Sequence, residues 1–125
     1  MIINNIIAGF LTTMNLWTIS FKHVYFHLND VFMVTLMTLY MSLFMHHSNK
    51  LLIIPIIIMI YAVRTQLLIS DTQFLKGMIP HHSMAILMSK NILYKTKNSK
   101  IKQLAKNIID SQNKEIILME KLLKK

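Results

Sequence analysis

The chain divides into a continuously apolar N-terminal half and a C-terminal part in which apolar and polar residues alternate with a helical period. The apolar half contains three stretches, over about residues 3–21, 29–47 and 51–69. Each is close to the about 20 residues that a helix needs to cross the hydrocarbon core of a bilayer. The pattern therefore predicts a membrane region over residues 1–69 with about three transmembrane helices.

Residues 70–125 predict an α-helical hairpin. Ser70 or Asp71 can cap the start of its first helix, and the 3.6-residue period continues to about Tyr94. A polar break follows at residues 95–100, and a second amphipathic helix then extends to about Leu123. The predicted fold class is all-α, with the membrane helices preceding a two-helix domain.

Two charged residues lie inside the membrane region, Asp30 at the start of the second stretch and Arg64 near the end of the third. Counted from the polar loop at residues 46–50, which contains His46 and His47, both lie at a similar depth on one side of the membrane. Charges within a membrane usually pair or extend to the headgroups. The sequence predicts either an Asp30–Arg64 ion pair between two spans or two charges that snorkel independently.

The positive charge is concentrated after residue 70. The whole chain carries a net charge of +9, and residues 71–125 contain eleven lysines and four acidic residues. With three spans, Lys22 shares a side of the membrane with this basic part while Lys50 lies on the other, so the positive-inside rule places the hairpin on the cytoplasmic side. A basic surface beside a membrane favours anionic headgroups, whereas scarce aromatic residues and missing motifs argue against nucleic acid.

The supply of possible metal ligands is unusual. There are no cysteines, which excludes disulfides, thiolate metal sites and cysteine nucleophiles, but there are 11 methionines and six histidines. Thioether and imidazole ligands together favour copper, especially in its reduced form. The alternative is that methionine serves only as an apolar filler.

The first hairpin helix has several of these residues on the face that should be buried. At 100° per residue, that face carries Met78, His81, His82, Ala85, Met88 and Ile92, with Met84 at its edge. Pro80 removes a backbone donor, so it should kink or restart the helix and shift Met78 relative to the residues that follow.

The second hairpin helix has two polar residues, Gln112 and Glu115, within an apolar stripe that ends near Met119. A buried carboxylate needs a partner, and in a closed hairpin His81 and His82 stand opposite. Two interpretations remain open: a histidine–glutamate hydrogen bond that fixes the register of the helices, or a metal ion held between them.

The order of residues from Met78 to Met88, followed by Gln112, Glu115 and Met119, resembles domain-of-unknown-function family 305 over about residues 71–123. The segments at 25–30 and 64–66 look like the membrane-anchored branch of that family. The resemblance implies a ferritin-like helical bundle and, as in some members, copper binding through methionine and histidine.

By this resemblance the metal ligands would be a set drawn from both hairpin helices: His81, His82, Met78, Met88, Met119 and Glu115. Gln112 and Met84 would lie just outside these ligands. A bundle needs more helices than one hairpin supplies, so a homo-oligomer or packing on the membrane spans is also implied.

A second methionine pattern lies in the middle stretch, where Met33, Met37, Met41 and Met45 are each four residues apart and precede His46. Steps of four keep them on one helix face. The ladder predicts either a packing seam or a track that passes copper along a membrane helix.

No pattern indicates an enzyme. A di-iron site needs several glutamates and two Glu-x-x-His pairs, whereas Glu115 and Glu120 are the only glutamates and neither begins that motif. The leading interpretation is a multi-pass membrane protein whose hairpin binds or sequesters copper. The alternative is a non-catalytic structural or interaction protein whose basic hairpin packs on anionic lipid or a partner without metal.

Overall fold

The computed structural model describes residues 2–46 and 49–124, and this part of the chain is helical, without strands. The prediction of an all-α fold is confirmed to that extent. His47 and Ser48 of the predicted loop lie outside the described residues. The five α-helices, in chain order, are α1 (Ile2–Leu11), α2 (Leu28–Met45), α3 (Ile53–Thr65), α4 (Asp71–Lys95) and α5 (Ser99–Leu123).

Of the helices in the described ranges, α2 alone is long and apolar enough to cross a membrane by length and composition. Only 11% of its most apolar window is buried inside the protein. Helix α1 has 10 residues and α3 has 13, which at ~1.5 Å per residue gives each less than the ~30 Å of a hydrocarbon core. Three transmembrane helices are therefore not confirmed.

The first predicted span is interrupted after Leu11, where α1 ends. The hydroxyl groups of Thr12 and Thr13 donate hydrogen bonds to the carbonyl groups of Gly9 and Phe10, at 2.9 and 3.0 Å. The chain then continues through short 3₁₀ turns instead of a helix. Side chains that bond to a helix's last carbonyls compete with its continuation, which explains the break.

Helices α1 and α2 approach each other closely at Gly9. A Cβ atom at this position would lie 2.8 Å from Cγ1 of Val34 and 3.0 Å from Cε of Met37. Val34 is buried. Because glycine has no side chain, α1 and α2 can pack this closely. Small residues commonly allow such close packing between helices.

The first helix of the hairpin starts at a side-chain cap and continues through Pro80 without restarting. The Ser70 hydroxyl accepts a hydrogen bond from the backbone N–H of Gln73, and α4 begins at Asp71. Pro80 lies inside α4, buried, and the helix neither ends nor restarts there. At the other end of the hairpin, Asn98 caps α5 through its side-chain oxygen.

The core of the hairpin also includes residues from the N-terminal half. Ile79 and Ile86 of α4 are buried against residues of α5, and Ile19 and Tyr25 pack on the same cluster. In addition, the Gln73 side-chain oxygen accepts a 2.8 Å hydrogen bond from the backbone N–H of Leu28, the first residue of α2. The chain before α2 therefore packs directly on the hairpin.

Candidate functional site

The predicted contact across the hairpin is made by His82 and Glu115. Nε2 of His82 lies 2.6 Å from Oε2 of Glu115, and Nδ1 lies 2.7 Å from the carbonyl oxygen of Met78. A carbonyl oxygen only accepts, so Nδ1 donates to it. The contact of Nε2 with the Glu115 carboxyl group joins α4 to α5 through a histidine–carboxylate hydrogen bond. A metal ion between these two side chains stays a prediction.

The remaining predicted ligands lie in different surroundings. Met119 is buried in the apolar core of the hairpin and Met78 packs against that core, whereas the Met88 side chain is exposed (61%). Gln112 and Met84 are half-buried. The ligand set drawn from both hairpin helices stays a prediction.

Met78 and His81 line a different feature, a cavity of about 470 Å³ between α1, α2 and α4. Its other wall includes Met33 and Met37 of α2, and Met14, which begins the 3₁₀ turn after α1, also lines it. His81 is adjacent to His82 in sequence, but it lines this cavity, whereas His82 contacts Glu115. Consecutive helical residues point 100° apart, and a wheel for the hairpin alone cannot show that a third helix lies beside it.

The methionine ladder of α2 is split by this cavity. Met33 and Met37 line it, whereas Met41 and Met45 lie further along α2 and do not. The exposed fractions of Met33, Met41 and Met45 are similar, so the two halves differ in their position relative to the cavity. That the methionine ladder passes copper along α2 stays a prediction.

Asp30 is buried at the edge of the cavity, and its partners differ from the predicted one. Its Oδ2 accepts a 2.8 Å hydrogen bond from Nδ2 of Asn15 and lies 3.2 Å from Nε2 of His27. Arg64 is exposed near the end of α3 and forms no ion pair with Asp30. The predicted Asp30–Arg64 pair is replaced because the segment before α2 folds back and supplies nearer polar groups.

That fold-back is held by the Asn15 side chain. Its Nδ2 also donates to the Tyr25 carbonyl, and its Oδ1 accepts from the Tyr25 backbone N–H, both at 3.0 Å. One asparagine therefore closes the loop between α1 and α2 and reaches Asp30. The sequence offered little signal for this role, because Asn15 lay within an apolar stretch.

His27 is almost fully buried beside this group, with 5% of its surface exposed, and it lines the cavity. Its Nδ1 atom has no hydrogen-bond partner among the described residues. Burial lowers the pKa of His27 from its ordinary value, and the neighbouring Asp30 opposes that shift. The spacing of three between His27 and Asp30 was a signal that sequence reasoning missed.

A second polar junction joins the N-terminal segment to the hairpin at Ser83, which is fully buried. Its Oγ accepts a 2.8 Å hydrogen bond from the Ile19 backbone N–H and lies 2.9 Å from Nδ1 of His23. The other ring nitrogen of His23 lies 3.8 Å from a carboxylate oxygen of Glu120. Because Ser83 is inaccessible, this serine–histidine–glutamate arrangement is structural.

No group of three or more His, Cys, Asp or Glu residues in residues 2–46 and 49–124 is placed to bind a metal ion. Donors other than these four residue types, such as the methionines that line the cavity, would have to contribute to a metal site there.

Comparison with known proteins gives a family and no activity. Residues 63–123 match the domain of unknown function DUF305. The chain is also 47% identical, over 134 aligned positions, to uncharacterized protein L153 of Acanthamoeba polyphaga mimivirus, and the alignment covers 98% of this chain and 88% of that protein. No solved structure matches the chain.

Proposed function

Because this chain belongs to the DUF305 family, whose name assigns no activity, we propose a function from the chemistry of its own residues. The protein is a membrane-anchored copper-binding protein that holds Cu(I) without catalytic turnover. Helix α2 is the anchor. The further spans, the cytoplasmic position of the hairpin, a ferritin-like bundle and a homo-oligomer stay predictions.

One observation carries the proposal: Met78 and His81 of α4 share a cavity with Met33 and Met37 of α2. Thioether and imidazole groups are the soft and borderline donors that Cu(I) prefers. Methionine side chains have three rotatable bonds, so sulfur atoms on opposite walls are able to converge on an ion. The cavity combines ligands from the membrane helix and the hairpin, which neither part supplies alone.

The composition of the cavity also argues against other metals. Asp30 is its one carboxylate and is already engaged by Asn15 and His27. Calcium and magnesium need six or more oxygen ligands, and a di-iron centre needs several glutamates. A cavity rich in methionine offers neither set.

The test is a titration of the detergent-purified full-length protein with Cu(I) against a competing chelator. The cavity variant Met78→Leu/His81→Ala should bind Cu(I) at least about 10-fold more weakly, since it removes two donors. Met88→Leu is the matched control, because this exposed methionine of the same helix does not line the cavity.

The opposite wall provides a second comparison. Met33→Leu/Met37→Leu should also lose affinity, whereas Met41→Leu/Met45→Leu, which changes the half of the ladder that does not line the cavity, should retain it. Equal affinity in the cavity variants and their controls would overturn the proposal.

A second candidate function is favoured by the surface of the hairpin. Residues 72–109 contain seven lysines and no acidic residue, and Tyr94 near the tip is 90% exposed. Lysines next to an exposed aromatic residue suit an anionic lipid surface. In this alternative the hairpin packs on anionic lipid, and the cavity residues serve only packing.

A further inference from the structure

We propose that His27 is a ligand of the copper site, that Nδ1 is its donor atom, and that Asp30 is the positioning residue on the opposite nitrogen. This inference rests on the proposed function and adds a ligand from outside residues 63–123, the part of the chain that matches DUF305. The experiment below distinguishes a failure of this inference about His27 from a failure of the proposed copper-binding function.

The two ring nitrogens of His27 are in different surroundings. Nε2 lies 3.2 Å from Oδ2 of Asp30, whereas Nδ1 is buried with no hydrogen-bond partner among the described residues. A carboxylate at this distance favours the tautomer with its hydrogen on Nε2, which leaves the lone pair on Nδ1. A buried nitrogen lone pair without a donor normally needs an explanation, and a metal ion supplies one.

The contact with Asp30 has the form that metal-binding histidines usually show. Such histidines direct the ring nitrogen remote from the metal toward a carboxylate or a carbonyl group, which fixes the tautomer and ring orientation. Asp30 is held in turn by the 2.8 Å hydrogen bond from Asn15. Asn15, Asp30 and His27 therefore form a chain of contacts that ends at Nδ1.

Two of the proposed ligands follow the α4 residue that lies beside the His27 ring. At this residue, Gly77, an added Cβ atom would lie 3.4 Å from Nδ1. The next residue is Met78, and His81 follows one helical turn after Gly77; all three line the cavity together with His27. Because Gly77 has no side chain, the imidazole of His27 lies close to α4 at the turn that carries Met78 and His81.

With His27 as a ligand, the ion would connect the segment before α2 to α4. Copper would then strengthen an interface that the structure already forms through Gln73 and Ser83.

The experiment begins with the wild-type protein, so that it does not depend on a variant that folds. Protein with ¹⁵N-labelled histidine in detergent is titrated with Cu(I), and with Ag(I) as a redox-inactive probe, and the ring nitrogens are observed by long-range ¹H–¹⁵N NMR. We expect the Nδ1 resonance of His27 to move from the position of a free lone pair to that of a metal-bound nitrogen. An unchanged Nδ1 resonance in protein that has bound the metal overturns the inference.

Variants then separate the two claims. His27→Ala should weaken Cu(I) binding at least about 10-fold, and Asp30→Asn should weaken it ~10-fold while reducing the Nε2–H tautomer in the metal-free NMR spectrum. His46→Ala, at the exposed C-terminal end of α2, is the control histidine and should change neither. If Met78→Leu/His81→Ala loses binding and His27→Ala does not, this inference fails and the proposed function stands. If the wild type binds no Cu(I), both fail.

Discussion

Asn15 donates a 2.8 Å hydrogen bond from its Nδ2 to Oδ2 of Asp30, which joins two segments that hydropathy assigns to separate membrane spans. The same side chain forms two further hydrogen bonds with the backbone of Tyr25. The junction between α1 and α2 is therefore a folded polar element. It also determines where Asp30 and His27 face the cavity.

Replacing Asn15 should destabilise this junction. Asn15→Ala removes three hydrogen bonds and leaves the buried Asp30 carboxylate with one fewer donor, so we expect a loss of about 1–3 kcal/mol, measured by thermal unfolding in detergent. The control is Asn113→Ala, because the Asn113 side chain forms an exposed bond within α5. Equal stability of the two variants would contradict the structural role of Asn15.

The His82–Glu115 contact should contribute to stability and not to metal affinity. Glu115→Gln keeps the shape and weakens a 2.6 Å hydrogen bond. Because the Glu115 side chain is 51% exposed, solvent screening should limit the loss to about 1 kcal/mol. Chemical denaturation measures this loss, with Asp110→Asn in the fully surface pair with Lys114 as the control. A fall in Cu(I) affinity for Glu115→Gln would instead restore the hairpin seam as the metal site.

A side chain at Gly9 should separate α1 from α2. Gly9→Val places its Cβ where Val34 already lies, at 2.8 Å, and overpacking of this kind costs about 1–3 kcal/mol. Ala8→Val is the matched control, since Ala8 is exposed on the same helix. Thermal unfolding of both variants tests the close approach, and a control that is as unstable as Gly9→Val would argue against it.

The lysine-rich tip of the hairpin should respond to salt if it contacts lipid. The protein in neutral-lipid nanodiscs is mixed with vesicles that contain anionic phospholipid, and cosedimentation should fall when salt is raised from about 0.1 to 1 M, where the Debye length shortens to about 3 Å. Lys97→Gln/Lys100→Gln should bind more weakly, whereas Lys114→Gln, whose lysine is paired with Asp110, is the control. Binding that is independent of salt or of these lysines would exclude the lipid alternative.

The hairpin was predictable because its signals are local. Ser70 caps the first helix, and the 3.6-residue period places Glu115 opposite His81 and His82. In the structure His82 makes the contact. The cavity was not predictable from spacing, because Met78 and His81 face α2 through contacts between distant parts of the chain.

The apolar half shows the limits of hydropathy. The stretch at residues 3–21 is apolar enough to suggest a span, but Thr12 and Thr13 end the helix and Asn15 folds the chain back. The sequence left Asp30 either paired with Arg64 or snorkelling alone, because charge counting considers only full charges. Its partners are an amide and a histidine, whose contribution depends on geometry that a linear sequence does not show.

Gln73 completes the first turn of α2 by accepting the hydrogen bond of the Leu28 backbone N–H, while His27 at the cap position makes no capping bond with its own side chain. On the ribosome, the beginning of α2 is synthesised 45 residues before the side chain that finishes it. The start of α2 therefore remains open until α4 has emerged. In a chain truncated before Gln73, the first turn of α2 should lack this hydrogen-bond acceptor.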